Sequence, residues 1–227
     1  MSAHPSPNHG ARRGGAPVDM AILHYTAMAD AGAARARLCD PAFEVSAHWL
    51  VLRDGACEAL VPEDRRAWHA GAGRWGDVTD LNSRSIGIEL DNDGAAPFPE
   101  AQVAALMDLL RGAMARHPAI APERVLGHSD VAPARKVDPG PLFPWGRLAA
   151  AGLAVPTPAP DAPGDLAADL ARIGYDPAAP LADRLRAFRL RHRPGAAGPP
   201  AAEDAALGAA VAARWPCAAL DRADGRP

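Results

Sequence analysis

The sequence predicts an α/β fold followed by a small helical domain, and two observations lead to this prediction. Over residues 18–155, short apolar runs typical of buried strands alternate with stretches of helical periodicity, the pattern of a sheet covered by helices. After a proline-rich linker at residues 156–164, three further helical patterns occupy residues 165–227. Residues 1–17 lack periodicity and are predicted to form an extended lead-in.

The composition excludes several classes of protein. The chain has 227 residues, 48% hydrophobic and 22% charged, enough for one α/β core and a small second unit. A formal net charge of −3 argues against a nucleic-acid-binding surface over the whole chain. No apolar run approaches the ~18 residues of a membrane span. Because the N-terminus lacks the pattern of a secretory signal, we expect a cytoplasmic protein, or a periplasmic one if the true start codon lies upstream.

The α/β region begins with three predicted strands and a helix. An apolar run at residues 20–26 predicts a strand buried on both faces, and an alanine-rich helix follows at residues 30–38. Two further strands, at residues 45–53 and 57–61, flank Asp54-Gly55, a dipeptide that strongly indicates a β-hairpin.

The rest of this region contains the clearest strand and the clearest helix. Residues 85–91 alternate strictly between apolar and other residues, so Glu89 faces away from the apolar side of its strand. A helix begins at Pro99-Glu100, and its apolar residues recur at helical spacing along one face. Residues 124–128 are predicted to end a short strand, before a loop rich in proline and glycine.

Three polar residues are candidates for a metal site. His24 and His128 each end an apolar run, where an α/β sheet presents side chains to a crevice, and Asp138 follows in the next loop. Two imidazoles and one carboxylate can form a catalytic zinc site with an open fourth position. Spacing alone leaves a simpler interpretation open, because a single histidine is more often solvated or hydrogen-bonded within a core. Of the 24 basic residues 23 are arginines, and the one lysine, Lys136, lies two positions before Asp138.

Five segments occur in an order that makes the interpretation more specific. They are Ile22-Leu-His24-Tyr-Thr26, Ser46-Ala-His48-Trp-Leu-Val51, Trp68-His69-Ala-Gly71, Leu81-Asn82 with Ser85-Ile-Gly-Ile-Glu89-Leu, and Gly127-His128-Ser-Asp-Val-Ala-Pro-Ala-Arg-Lys136-Val-Asp138-Pro-Gly140. Together they resemble the type-2 N-acetylmuramoyl-L-alanine amidases, the AmpD/AmiD group of peptidoglycan hydrolases related to peptidoglycan-recognition proteins. The resemblance covers about residues 5–150.

This resemblance implies a fold, a reaction and a set of site residues. The fold would be a mixed central sheet flanked by helices with a shallow zinc groove. The reaction would cut the amide between the lactyl group of N-acetylmuramic acid and L-alanine of the stem peptide. His24, His128 and Asp138 fall on the family's zinc ligands. Glu89 falls on its catalytic glutamate, which would carry the proton to the departing amine, and Lys136 on its catalytic lysine, which would stabilise the oxyanion.

Several residues are candidates for contacting the substrate. His69 is expected to line the groove, and Tyr25 and Asn82 are expected to contact sugar or peptide, because aromatic faces and amides suit glycan recognition. Trp75 and Arg84 are weaker candidates of the same kind. For each of them, ordinary loop packing is the alternative.

The C-terminal domain resembles, in length and placement, the three-helix peptidoglycan-binding domain appended to some of these amidases. It lacks the glycine-rich segment typical of that module. Its middle helix carries a basic run, which indicates either a solvated face or a surface for an anionic partner. The run consists of Arg184, Arg186, Arg189, Arg191 and Arg193.

Three functional hypotheses follow: a zinc amidase of peptidoglycan recycling or turnover, a recognition protein that binds muropeptides without cleaving them, and a metal hydrolase acting on another amide. The first is favoured because every ligand and catalytic position is filled. The expected cytoplasmic location favours soluble muropeptides with a 1,6-anhydro sugar as substrate, whereas a polymer-binding domain favours the envelope.

Overall fold

The fold is described from a computed structural model, which describes residues 2–3, 5–15 and 17–217. Residues 218–227 of the predicted C-terminal domain, and residues 1, 4 and 16 of the predicted lead-in, lie outside the described residues. Within those ranges, no helix combines the length and the apolar character needed to cross a membrane.

The described residues form eight strands and eight α-helices. The strands are β1 (Ser2–Ala3), β2 (His9–Ala11), β3 (Met20–Tyr25), β4 (Trp49–Val51), β5 (Cys57–Ala59), β6 (Arg65–Ala67), β7 (Ser85–Leu90) and β8 (Val125–Gly127). The helices are α1 (Ala31–Cys39), α2 (Leu81–Arg84), α3 (Glu100–Arg116), α4 (His128–Val131), α5 (Trp145–Ala150), α6 (Leu166–Ile173), α7 (Leu181–His192) and α8 (Ala202–Arg214).

The centre of the fold is a six-stranded mixed sheet, which confirms the predicted fold class. Its strand order is β1-β5-β4-β7-β3-β8. The four strands β4, β7, β3 and β8 run parallel to their neighbours, and β5 is antiparallel to β4 across the predicted hairpin. Because parallel strands end at the same edge, residues that close β3, β7 and β8 lie together there.

The two faces of the sheet belong to different hydrophobic clusters. Along β3, Ala21 and Leu23 pack into a cluster with α3 and α5, whereas Met20 and Ile22 pack on the opposite face. This alternation explains the uninterrupted apolar run, since a strand buried on both faces needs apolar residues at every position. His24 continues the Met20 and Ile22 face, because side chains two positions apart share a face.

Strand β7 shows the predicted alternation, and most residues on both of its faces are buried. Ile86, Ile88 and Leu90 enter the core as expected. Ser85 and Gly87, on the other face, are also buried, because the segment that carries His69 covers them. The alternating pattern therefore indicates a strand with one apolar face and one polar face, both of which are largely buried.

The lead-in contributes to the fold beyond an extended chain. Strand β2 pairs antiparallel with β6 in a separate two-stranded sheet. The guanidinium of Arg12 donates to the backbone carbonyls of Glu63, Ser83 and Ser85 at 2.8–3.1 Å. The lead-in is thereby attached to the loop before β6, to α2 and to the start of β7.

The three predicted C-terminal helices form as α6, α7 and α8, but a separate helical domain is not confirmed. Leu170, Phe188 and Val211, one from each helix, lie in the same cluster as Ile22 and Leu126 of the sheet. The helices therefore cover one face of the central sheet and share its core.

The basic run on α7 is mostly internal, so its interpretation as a solvated face or a docking surface is wrong for three of its arginines. Arg184, Arg189 and Arg191 are buried. Arg189 pairs with buried Asp204 of α8, with an Nη2 to Oδ2 distance of 2.5 Å. Arg191 donates to the carbonyl of Val125 in β8 at 3.0 Å. These arginines hold α7 against α8 and against the sheet.

Candidate metal centre and active site

Three side chains converge at the edge where the parallel strands end. His24 is the last residue on the Met20 and Ile22 face of β3, His128 opens α4 directly after β8, and Asp138 lies in the following loop. The Nδ1 atoms of the two histidines are 2.9 Å apart, and each lies 3.0 Å from Oδ2 of Asp138. All three residues are buried, and together they form a group that can hold a metal ion.

The proton positions around His128 fit a cation at this point. Its Nε2 faces the carbonyl oxygen of Ala70 at 3.0 Å, and a carbonyl can only accept, so Nε2 carries the proton. In the neutral ring Nδ1 then presents a lone pair towards the carboxylate oxygen of Asp138 at 3.0 Å. Two lone pairs at that distance repel each other unless a cation lies between them. Two imidazole nitrogens and one carboxylate oxygen are also a donor set of catalytic zinc sites.

The surroundings favour, in His24 and Asp138, the protonation states that a metal requires. Burial, followed by the proximity of His128, lowers the pKa of His24 to about 4. Burial alone would raise the pKa of Asp138, but the adjacent rings of His128 and His24 outweigh it and hold this pKa well below its ordinary value. At neutral pH the site therefore presents a neutral imidazole and an ionised carboxylate, the forms that bind metals.

Glu89 lies next to the converging side chains. The register of the parallel strands pairs Glu89 of β7 with His24 of β3, so their side chains stand side by side on one face of the sheet. Its Oε2 is buried, and none of the described residues hydrogen-bonds to it. Burial, together with the negative charge of Asp138, raises the pKa of Glu89 to about 8, although the charge of Lys136 opposes this rise. A carboxyl group with this pKa can hold a proton near neutral pH.

Lys136 borders the same cavity. It lies in the loop between His128 and Asp138, where its backbone N–H donates to the carbonyl of Ala132 at 3.0 Å. Its side chain is half-buried and lines the cavity with Glu89. The sequence motif thus places an ammonium group and a carboxyl group around one space.

The cavity has a volume of about 330 Å³ and opens beside the metal ligands. It is lined by all five predicted metal-binding and catalytic residues and by two of the three predicted substrate-binding residues. These are His24, His128, Asp138, Glu89, Lys136, Tyr25 and His69. One space is therefore bounded by a group of side chains that can hold a metal ion, a carboxyl group and an ammonium group.

Asn82 lies outside this lining. Its side-chain oxygen accepts the backbone N–H groups of His69 at 3.2 Å and Ala70 at 2.9 Å. Its role in the structure is therefore to fix the segment that bears His69 and the carbonyl of Ala70. The weaker candidates are also internal, since Trp75 packs edge-on against Tyr175 and Arg84 pairs with Asp19 at 2.6 Å.

The lining also includes residues that sequence reasoning did not select. Trp68 and Arg135 flank residues of the predicted motifs, so their positions in the sequence were an available signal. The Nε of Arg135 donates to the carbonyl of Ala72 at 2.8 Å. This hydrogen bond connects the loop that contains Ala72 to the loop that contains Lys136. Arg37 of α1 lies in a helix without a recognisable motif, and only the packing of α1 brings it to the cavity.

Comparison with known proteins shows the same family in sequence and in structure. The family model described as N-acetylmuramoyl-L-alanine amidase matches residues 14–141. The chain is 39% identical over 212 residues to N-acetylmuramoyl-L-alanine amidase AmiD of Escherichia coli (strain K12), covering 78% of this chain and 75% of that protein. It is 44% identical over 104 residues to 1,6-anhydro-N-acetylmuramyl-L-alanine amidase AmpD of Enterobacter cloacae, covering 46% of this chain and 55% of that protein.

Two solved structures extend the likeness to nearly the whole chain. One is AmiD from E. coli in complex with the substrate anhydro-N-acetylmuramic acid-L-Ala-D-gamma-Glu-L-Lys. It has a TM-score of 0.80 and 36% identity, and covers 90% of this chain and 92% of that one. The other is AmpDH3 from Pseudomonas aeruginosa in complex with anhydromuramic pentapeptide. It has a TM-score of 0.79 and 31% identity, and covers 90% of this chain and 94% of that one.

Proposed function

Because this chain belongs to the family of N-acetylmuramoyl-L-alanine amidases, we propose that it is a zinc-dependent amidase acting on muropeptides. The bond cut is the amide between the lactyl group of N-acetylmuramic acid, or its anhydro form, and L-alanine of the stem peptide. The observation that carries the proposal is the convergence of two imidazole nitrogens and one carboxylate oxygen, at mutual distances of 2.9–3.0 Å, beside Glu89 and Lys136.

In this proposal His24, His128 and Asp138 hold the zinc ion. When bound, the ion supplies Lewis-acid chemistry, acidifying water and polarising a carbonyl oxygen. The three residues are buried and border the cavity that Glu89 and Lys136 also line. Their burial excludes water from the ligand atoms and strengthens the electrostatic interactions among them.

Glu89 is the proposed proton carrier. Its carboxyl group accepts a proton from the attacking water and returns it to the departing amine nitrogen, which must be protonated to leave. With a pKa of about 8, set mainly by burial, the group holds its proton readily. The positive charge of a cation nearby lowers this pKa, and a value near the working pH suits a group that must both accept and donate.

Lys136 is the proposed stabiliser of the developing negative charge. Attack on an amide carbonyl moves charge onto its oxygen, and a donor that is already in position stabilises the transition state more than the substrate. The half-buried ammonium lines the cavity from the loop between two ligands, so its position is tied to theirs.

The proposed substrate class is the soluble anhydromuropeptides released in peptidoglycan recycling. Two relatives of similar fold are known in complex with anhydromuramic peptides, one named as a substrate complex. Turnover of purified anhydro-N-acetylmuramyl tripeptide, compared with release of peptide from intact sacculi, checks this choice. Faster release from sacculi would assign the chain to the polymer instead.

Metal content and product release test the activity together. Elemental analysis should find close to one zinc per chain, and the protein should release L-alanyl peptide from an anhydromuramyl peptide. Glu89→Gln should keep the zinc and lose about 10²- to 10⁴-fold in kcat, because the amide cannot carry the proton. A wild-type protein that binds the muropeptide and leaves it intact would instead be a recognition protein.

A further inference from the structure

His69 lies directly behind the metal site, although it is not among the three ligands. Its Nδ1 is 3.1 Å from Nε2 of His24, on the side of the His24 ring away from Asp138. The two rings meet edge to face, with centroids 5.2 Å apart. His69 therefore contacts a ligand at the only polar atom that the proposed metal does not use.

The protons along this contact can be assigned from Ser85. The hydroxyl of Ser85 donates its single proton to the carbonyl of Leu81 at 2.6 Å, so it accepts from Nε2 of His69 at 3.2 Å. Nδ1 of His69 then carries a lone pair and accepts the Nε2 proton of His24. Nδ1 of His24 is left unprotonated and points at Asp138 and His128.

Two other features fix His69 in this place. A side chain at Gly87 would collide with it, because a Cβ built there would lie 2.3 Å from Cγ of the His69 ring. The glycine in β7 therefore provides the space in which the ring lies against the sheet. The side chain of Asn82 accepts the backbone N–H of His69 at 3.2 Å and holds its segment.

We propose that His69 is a positioning residue for the metal centre: by accepting the Nε2 proton of His24, it fixes the ring and the tautomer that present Nδ1 to the cation. The inference rests on the proposed function, since it assumes that His24 binds zinc. His69 itself contacts neither the ion nor the reacting atoms in this role. A hydrogen bond behind a metal-binding histidine of this kind typically changes metal affinity by about 10- to 100-fold.

Zinc affinity of the full-length protein, measured by competition with a chelator, tests the proposal. His69→Leu removes the acceptor and should weaken zinc binding by about 10- to 100-fold. His69→Asn offers a side-chain carbonyl near the position of Nδ1 and should bind zinc within about threefold of wild type. Both substitutions change the packing around position 69, but only His69→Leu removes the hydrogen-bond acceptor.

A matched control comes from the same row of rings. His48 lies on the far side of His69, with centroids 5.7 Å apart, and accepts the backbone N–H of Gly87 at 2.8 Å. His48→Leu should lower the melting temperature and leave zinc affinity unchanged. Unchanged affinity in His69→Leu, or equal losses in His69→Leu and His69→Asn, would overturn the proposal.

A measurement on the wild-type protein tests the same proposal and does not depend on whether a variant folds. Nitrogen-15 NMR of the metal-free chain should show His24 and His69 both protonated at Nε2. His24 protonated at Nδ1 would overturn the positioning role even if zinc binds tightly. A wild-type chain that binds no zinc would instead contradict the proposed function, and the two failures are thus distinguishable.

Discussion

Lys136 provides the sharpest test at the scale of single residues, because every other basic position in the sequence is arginine. Arginine carries the same charge on a larger, planar group and places it differently from a compact ammonium. We expect Lys136→Arg to keep the fold and the zinc while losing about 100-fold or more in kcat, the scale of removing an oxyanion donor. Steady-state turnover of an anhydromuramyl peptide, with zinc content measured on the same sample, checks this.

The matched control is a charge-conserving exchange away from the cavity. Arg111 of α3 is half-exposed and pairs with Asp108 on the same helix. Arg111→Lys should have wild-type kcat. Turnover of Lys136→Arg close to that of this control would show that a cation at position 136 is sufficient and that its shape is irrelevant.

His48 makes stability depend on pH. Burial lowers its pKa to about 3, whereas an exposed histidine in the unfolded chain has a pKa of ~6.5. Below pH ~6.5 the His48 imidazole is therefore protonated in the unfolded chain but stays neutral in the folded chain. The free energy of unfolding consequently falls as the pH drops from ~6.5 towards 3. Between pH 7 and pH 5 this residue should account for a loss of about 2 kcal/mol in the free energy of unfolding.

Urea unfolding of wild type and His48→Gln at both pH values measures this contribution. Both proteins should lose stability on acidification, because His24 also has a lowered pKa. The loss should be smaller in the variant by about 2 kcal/mol. Equal losses in the two proteins would show that His48 is not the source.

At the scale of elements, the buried ion pair between α7 and α8 should contribute more to the free energy of unfolding than an exposed ion pair does. The Arg189 and Asp204 side chains are 8% and 0% exposed. Arg189→Ala removes one of the two arginines that pair with this buried carboxylate, leaving Arg193, and should cost about 1.5–3 kcal/mol in the free energy of unfolding. In α6, Arg172 is 61% exposed and lies 3.8 Å from Asp169, so Arg172→Ala should cost less than about 1 kcal/mol. Comparable costs for both variants in urea unfolding would contradict the internal role of the α7 arginines.

Elements with a strong local pattern could be predicted from the sequence. The apolar run of β3, the stripe of α3 and the Asp54-Gly55 hairpin were placed correctly because periodicity and turn chemistry act over a few residues. Strands β2 and β6 were missed, since their pairing joins the lead-in to a segment over fifty positions away. A local sequence pattern does not indicate which distant segment a strand pairs with.

The same division holds for the site. His24 and His128 come together because parallel strands end at one edge, which a sequence pattern can indicate. The contacts of Asn82 and His69 could not be predicted, because they depend on how the segment at 68–71 lies over β7. The burial of the α7 arginines could not be predicted for the same reason. Their partners, Asp204 and the carbonyl of Val125, are not adjacent to them in the sequence.

At the scale of the whole molecule, the C-terminal helices should be inseparable from the sheet that they cover. A chain ending at Val155 would expose Met20, Ile22 and Leu126, which are now buried. Such an apolar surface drives association, so the fragment should aggregate or melt well below the full chain. Size-exclusion chromatography and thermal unfolding followed by circular dichroism check this.

The control cuts the chain without removing the helices. Residues 156–164 are largely exposed, so a protease site placed there can be cleaved in the folded protein. The cleaved protein should keep its helices bound and melt near the intact chain. A fragment ending at Val155 that is monomeric and as stable as the full chain would show that the shared core contributes little.

The order in which the metal ligands leave the ribosome has a consequence for biosynthesis. His24 and Asp138 are 114 positions apart. Strand β7, which carries Glu89, comes between β3 and β8 in the sequence, whereas in the sheet β3 lies between β7 and β8. Contacts this remote form late, after long loops have closed. A nascent chain therefore lacks the complete proposed zinc site until Asp138 has been synthesised and β8 has joined the sheet. We therefore expect zinc to bind at the end of folding and not at its beginning.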